Sequence, residues 1–131
     1  MNIMDYQVKA KRTINRDLQD DERIAELVFG VNGEIGEVTE LFKKHIYHGH
    51  SLEIKKLAEE LGDVIWYLTN IASLYGIPMT YILDENIKKL EERYPEGYSN
   101  EKSINRKEYK WKGDRGCIKE DIFHHKNLIL I

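Results

Sequence analysis

A chain of 131 residues holds about one domain. Hydrophobic residues make up 41% and charged residues 33% of it, a balance that suits a soluble protein rich in amphipathic helix and excludes a disordered tail. No apolar run approaches the roughly 18 residues needed to span a bilayer, and Met1 to Arg16 lacks the apolar stretch of a secretory signal, so neither a membrane-embedded nor an exported protein is expected. The lone cysteine, Cys117, can form neither an internal disulfide nor a thiolate metal cage, which points to a reducing cytoplasm. A net charge of −3 argues against a surface for polymeric nucleic acid. The charge is uneven: residues 1–94 carry a net −5 and residues 95–131 a net +2. Ordinary surface variation gives such a split, and so does an acidic body that binds cations joined to a basic tail that meets an anion.

Apolar residues recur at intervals of three and four, with no sustained alternation, so the pattern is all-α. A first helix is expected over Ile3 to Asn15, with Tyr6, Ala10 and Ile14 on one face. A second runs from Asp21 to Tyr47 and ends at His48-Gly49-His50, where Gly49 can take the left-handed C-terminal conformation. Ser51 suits the N-cap of a third helix, with Glu53 in its first turn, and that helix stops near Gly76. Pro78 opens a fourth, which runs to Tyr94 and stops at Pro95 and Gly97. The organisation expected is a four-helix-bundle-like domain over residues 1–97, followed by an extended C-terminal arm over 98–131 that closes on the apolar Leu128-Ile129-Leu130-Ile131. Its small core and long apolar stripes suggest a homo-oligomer.

Two carboxylate pairs carry the chemistry. Glu34 and Glu37 on the second helix, and Glu60 and Asp63 on the third, are each three residues apart and so share one side of their helix. At about 100° per residue, the second helix's apolar stripe centres on Val31, which puts Glu34 inside it, Glu37 at its edge and Glu40 on the far side. On the third helix the stripe centres on Leu61, with Glu60 at its border, Asp63 further round and Tyr67 on the acids' side. Unpaired carboxylates facing a core are costly, and four converging would repel by several kcal/mol on an order-of-magnitude Coulomb estimate. No lysine or arginine interrupts either motif, so a hard divalent ion is the economical counter-charge, and all-oxygen ligation favours magnesium, manganese or calcium. Solvated acids on exposed helical faces are the bland alternative. Gly30, Gly33 and Gly36, each costly within a helix, suggest close approach near the acids.

The segment Gly33-Glu34-Ile35-Gly36-Glu37-Val38-Thr39-Glu40-Leu41, with Glu60-Leu61-Gly62-Asp63-Val64-Ile65-Trp66-Tyr67-Leu68 beyond it, resembles the MazG family of nucleoside triphosphate pyrophosphohydrolases, whose signature is EExxE, a variable gap, then ExxD. The likeness covers roughly residues 20–98 and includes the closing helix Asn86 to Pro95; Glu96-Gly97-Tyr98-Ser99, Ser103 and Arg106 resemble the tail of small single-domain members. Gly33 replaces the first motif glutamate. The resemblance implies the all-α NTP pyrophosphatase fold, a homodimer or homotetramer, and Mg²⁺ (or Mn²⁺) held by Glu34, Glu37, Glu60 and Asp63. It also implies water attack at the α-phosphorus of a (d)NTP, releasing a nucleoside monophosphate and pyrophosphate. Metal assistance and electrostatic positioning suit such chemistry, and one of the carboxylates is an alternative general base for the water's proton.

Lys89 and Arg93 lie four apart on one face, with Asn86 three before Lys89. They read equally as phosphate ligands or as surface partners of Glu85 and Glu92. Tyr67 is the better placed of two aromatics for stacking on a base, although packing is the commoner role. Arg106 is a further substrate contact. Lys43 and Lys44 suit a helix C-terminus, as do His45, His48 and His50, which match no zinc spacing. The rival reading is a non-enzymatic helical interaction module. A di-iron carboxylate bundle ranks last, because no E-x-x-H pair exists.

Overall fold

The computed structural model describes residues 1–106 and 108–110. Its elements are α1 (Ile3–Lys11), α2 (Asp20–His48), α3 (Ile54–Leu74), α4 (Met79–Arg93) and a short α5 (Asn100–Ile104). The described residues form no strand, and none of their helices is long and apolar enough to cross a membrane. The all-α expectation therefore holds. Cys117 and the apolar close Leu128 to Ile131 lie outside the described residues, and α5 falls within what the sequence reads as arm.

Local chemistry explains where the helices stop. α1 is shorter than its periodicity suggests: the Thr13 hydroxyl donates to the Ala10 carbonyl at 2.9 Å. The next carbonyls are drawn off by Arg23, a buried side chain that the sequence reading overlooked. Its guanidinium donates to the carbonyls of Asn15 (3.0 Å), Arg16 (3.3 Å) and Leu18 (2.6 Å) and pairs with Asp20 at 2.9 Å. One arginine thus organises the whole loop between α1 and α2. At the start of α2 the Gln19 N–H donates to the Glu22 carboxylate at 3.0 Å, which satisfies one of the donors a helix start leaves open. Gly49 ends α2 at φ +71°, as its position before His50 implied. Ser51 does not cap α3; Glu53 holds that place, its carbonyl accepting from Leu57 N–H at 3.0 Å. Pro78 is the N-cap of α4, and Gly76 turns the chain before it at φ +63°.

α2 and α3 pack most extensively, and α1 lies across α3 and α4. Ile14, Leu27 and Leu74 form the buried centre, wrapped by Ile24, Trp66, Tyr67, Ile71 and Tyr75. The stripe expected around Val31 is buried with Leu27. The stripe expected around Leu61 is not: Leu61, Ile65 and Leu68 are 46%, 45% and 48% exposed. α3 is apolar on more than one side, and α2 covers the side that carries Glu60 and Tyr67, leaving the Leu61 stripe outward. Leu83, Ile87 and Leu90 make a matching exposed stripe on α4.

The layers are joined by polar contacts. The Trp66 indole N–H donates to Thr13 Oγ1 at 2.8 Å. Gln7 on α1 donates to Ser73 Oγ (3.1 Å) and the Ile77 carbonyl (3.0 Å) and accepts from Met79 N–H (2.9 Å), so one amide ties α1 to both ends of the α3–α4 turn. Gln7→Ala leaves three partners short of a bond in a half-buried place, and is expected to cost about 1–3 kcal/mol of stability in urea unfolding.

Candidate metal centre

The helical register brings α2 and α3 together antiparallel, with Gly30 against Tyr67 and Glu34 beside Glu60 and Asp63. One carboxylate oxygen from each of Glu34, Glu60 and Asp63 lies within 4.8 Å of the others. Glu60 is 5% exposed, Glu34 half-buried and Asp63 exposed, so the group closes downward on the helix interface and opens to solvent at Asp63. Glu37, one turn beyond Glu34, stays outside this group and is exposed, yet its charge reaches Glu34. Three of the four acids singled out in the sequence are thereby gathered at one point. Glu40 points elsewhere and pairs with Lys43 and Lys44, as its angular position indicated.

The electrostatics record the crowding. Burial, then the charges of Asp63, Glu60 and Glu37, push the Glu34 carboxyl above the usual carboxylate range. Burial and the charges of Glu34, Glu26 and Asp63 push the Tyr67 phenol up, so it keeps its proton. At such separations each like-charge pair costs about 3 kcal/mol at an effective dielectric near 20. One counter-charge is present that the sequence reading overlooked. Lys56, one turn before Glu60, reaches it at 2.7 Å and also approaches Glu59 at 3.5 Å. Helical i,i+4 spacing was the available signal. Among the described residues a single lysine on three carboxylates leaves an excess of negative charge, and an all-oxygen donor set of this size suits a hard divalent ion.

The remaining candidates are dispersed. Tyr67 is half-buried, packed edge-on against Trp66 with ring centroids 4.9 Å apart and seated over Gly30. Asn86, Lys89 and Arg93 are half-buried on α4, which packs on α1. Lys88, not Lys89, pairs with Glu85, at 2.7 Å. Arg93 and Arg106 both line a groove of about 410 Å³ between α4 and α5 that Lys102, Glu92 and Glu101 also line, and none of the three clustered acids borders it. His45 Nδ1 donates to the His50 carbonyl at 2.8 Å, a contact that folds the end of α2.

A carboxyl whose pKa is raised by folding favours the folded state below its unfolded value, and that contribution is lost as pH rises through the raised value. In EDTA at neutral pH, Glu34→Gln is therefore expected to melt at a higher temperature than the wild type, and the difference should close as pH falls into the ordinary carboxylate range. Melting curves from pH 4 to 8 measure this.

The profile of the MazG nucleotide pyrophosphohydrolase domain matches residues 23–98, which takes in α2 from Arg23 onward, α3 and α4, with all the gathered acids. The chain is also similar to the Gene 37 protein of Mycobacterium phage L5, with 27% identity over 105 residues, covering 74% of this chain and 92% of the phage protein. No solved structure matches it. With more than half of its length under that profile and the acidic pairs in facing register, the chain belongs to the MazG nucleotide pyrophosphohydrolase family.

Proposed function

We propose that the protein is a Mg²⁺-dependent pyrophosphohydrolase that cleaves a (d)NTP to the (d)NMP and pyrophosphate by water attack at the α-phosphorus. The observation that carries this reading is the convergence of Glu34, Glu60 and Asp63 from two helices, open to solvent on one side. These three, with Glu37 at the rim, would hold the ion. Magnesium, when bound, supplies charge neutralisation for the phosphates and lowers the pKa of water. Manganese is a plausible substitute, since its ligand preference is similar. Buried Glu60, fixed by Lys56, anchors the inner end of the group. Exposed Asp63 and Glu37 face the side from which substrate and water arrive, where either carboxylate can accept the water's proton.

The self-association expected of the chain is supported by the outward stripes Leu61-Ile65-Leu68 and Leu83-Ile87-Leu90, apolar surface of a kind that marks interaction sites. Association through them is also a route by which Asn86, Lys89 and Arg93, which lie on α4 outside the acid cluster of their own copy, could serve the acids of another. Tyr67 and Arg106 complete the proposed substrate contacts.

Incubation with a panel of NTPs and dNTPs, with and without Mg²⁺, should yield monophosphate and pyrophosphate only with the ion present. Orthophosphate as first product overturns the α-phosphorus mechanism. Asp63→Ala and Glu37→Ala are each expected to lower turnover by roughly 100-fold or more with helicity unchanged by circular dichroism. Saturating Mg²⁺ should raise the melting temperature of the wild type, by about 2.7 kcal/mol of stability at 100 times its Kd; an acidic-surface interaction module would show no such gain. Ile65→Glu is expected to reduce the oligomer to monomer in light scattering, with loss of activity in the same fractions.

A further inference from the structure

Of the three glycines that precede or flank Glu34 on α2, only Gly30 has a described residue of another element where a Cβ would stand. A Cβ built on Gly33 or Gly36 meets nothing within 4 Å. A Cβ built on Gly30 falls 2.8 Å from Tyr67 Cδ1 and closer still to Cε1 and Cζ. The ring edge therefore occupies the volume an alanine methyl would fill. Gly30 lies one turn before Glu34, and Tyr67 one turn after Asp63, so this contact is the next layer of the interface below the acids. The ring has a second packing partner as well. Trp66 packs edge-on against it at 4.9 Å, and Trp66 is itself tied to α1 through Thr13 at 2.8 Å.

We infer that Gly30 is a positioning residue for the acid cluster: its missing side chain forms the notch that seats the Tyr67 ring, and the seated ring sets the spacing of α2 and α3 where Glu34 meets Glu60 and Asp63. This rests on the metal-centre reading above. The physical argument is that close-packed interiors transmit displacement, and Glu34 lies only one turn of helix from the point where a methyl on Gly30 would have to be cleared. Gly30 contributes no atom to the ligands and touches no substrate; it acts through the ring.

The test is a double-mutant cycle on Gly30→Ala and Tyr67→Ala, read by Mn²⁺ affinity and by melting temperature in EDTA. Each single variant is expected to weaken Mn²⁺ binding roughly 10-fold, the scale typical of groups that orient ligands. The double variant should bind no more weakly than Tyr67→Ala alone, because the added methyl then has nothing to displace. Stability should change sign across the cycle: Gly30→Ala lowers the melting temperature when the ring is present and raises it when the ring is gone, where only alanine's better helix propensity remains. Independent losses that multiply in the double variant, or a Gly30→Ala protein with unaltered Mn²⁺ affinity, overturn the inference. Should Gly30→Ala fail to fold, a double variant that folds and matches Tyr67→Ala in Mn²⁺ affinity supports it, and one that does not overturns it. If the wild type shows no Mn²⁺ binding that Asp63→Asn removes, the metal-centre reading fails and the positioning role with it; the sign reversal in melting temperature then reports separately on the notch.

Discussion

Three carboxylates forced to within 4.8 Å by the packing of two helices set the terms for the rest of the molecule. Like charges at that range oppose the interface that brings them together, by a few kcal/mol per pair on a Coulomb estimate. The contacts that resist this repulsion are consequently the ones that define the fold. Leu27 and Leu74 bury the α2–α3 interface below the acids, Tyr67 locks into the α2 surface at Gly30, and Lys56 neutralises the innermost carboxylate. An excess of negative charge is left at the open rim, where the proposed divalent ion would be the counter-charge.

The arrangement also explains a division of labour along each helix. α2 carries its burial on Leu27 and Val31, its acids one turn on, and its paired surface charges beyond, at Glu40, Lys43 and Lys44. α3 runs the opposite way, with Lys56, Glu60 and Asp63 first and the buried stretch Thr69 to Leu74 last. Antiparallel pairing superposes acid on acid and core on core. The buried apolar contacts lie at one end of the pair and the clustered acids at the other.

Much of this was legible in the amino-acid pattern, because helical periodicity translates directly into angular position. The stripe around Val31, the outward direction of Glu40, the turn at Gly49 and the inward pairing of Glu34 with Glu60 and Asp63 all follow from counting residues. What counting could not resolve was competition between two apolar faces of one helix. α3 offers Leu61-Ile65-Leu68 as well as the face that carries Tyr67, and only tertiary packing selects which one α2 covers. The same limit hid Arg23, whose guanidinium serves the carbonyl of Asn15, where a local reading had ended α1, and those of Arg16 and Leu18 beyond it. It also hid Lys56, which lies outside the acidic motif but within one helical turn of it. Of the three suspicious glycines, distance between helices singled out Gly30 alone.

The family likeness begins at residue 23, at the very arginine that clasps the preceding loop. A minimal domain trimmed to that boundary would keep every clustered acid and yet strand a buried guanidinium, which would lose its acceptors at Asn15, Arg16 and Leu18, and its partner Asp20, at a stroke. The turn into α4 would lose the amide of Gln7 in the same cut. In this chain the segment under the family profile therefore leans on hydrogen bonds from residues that precede it.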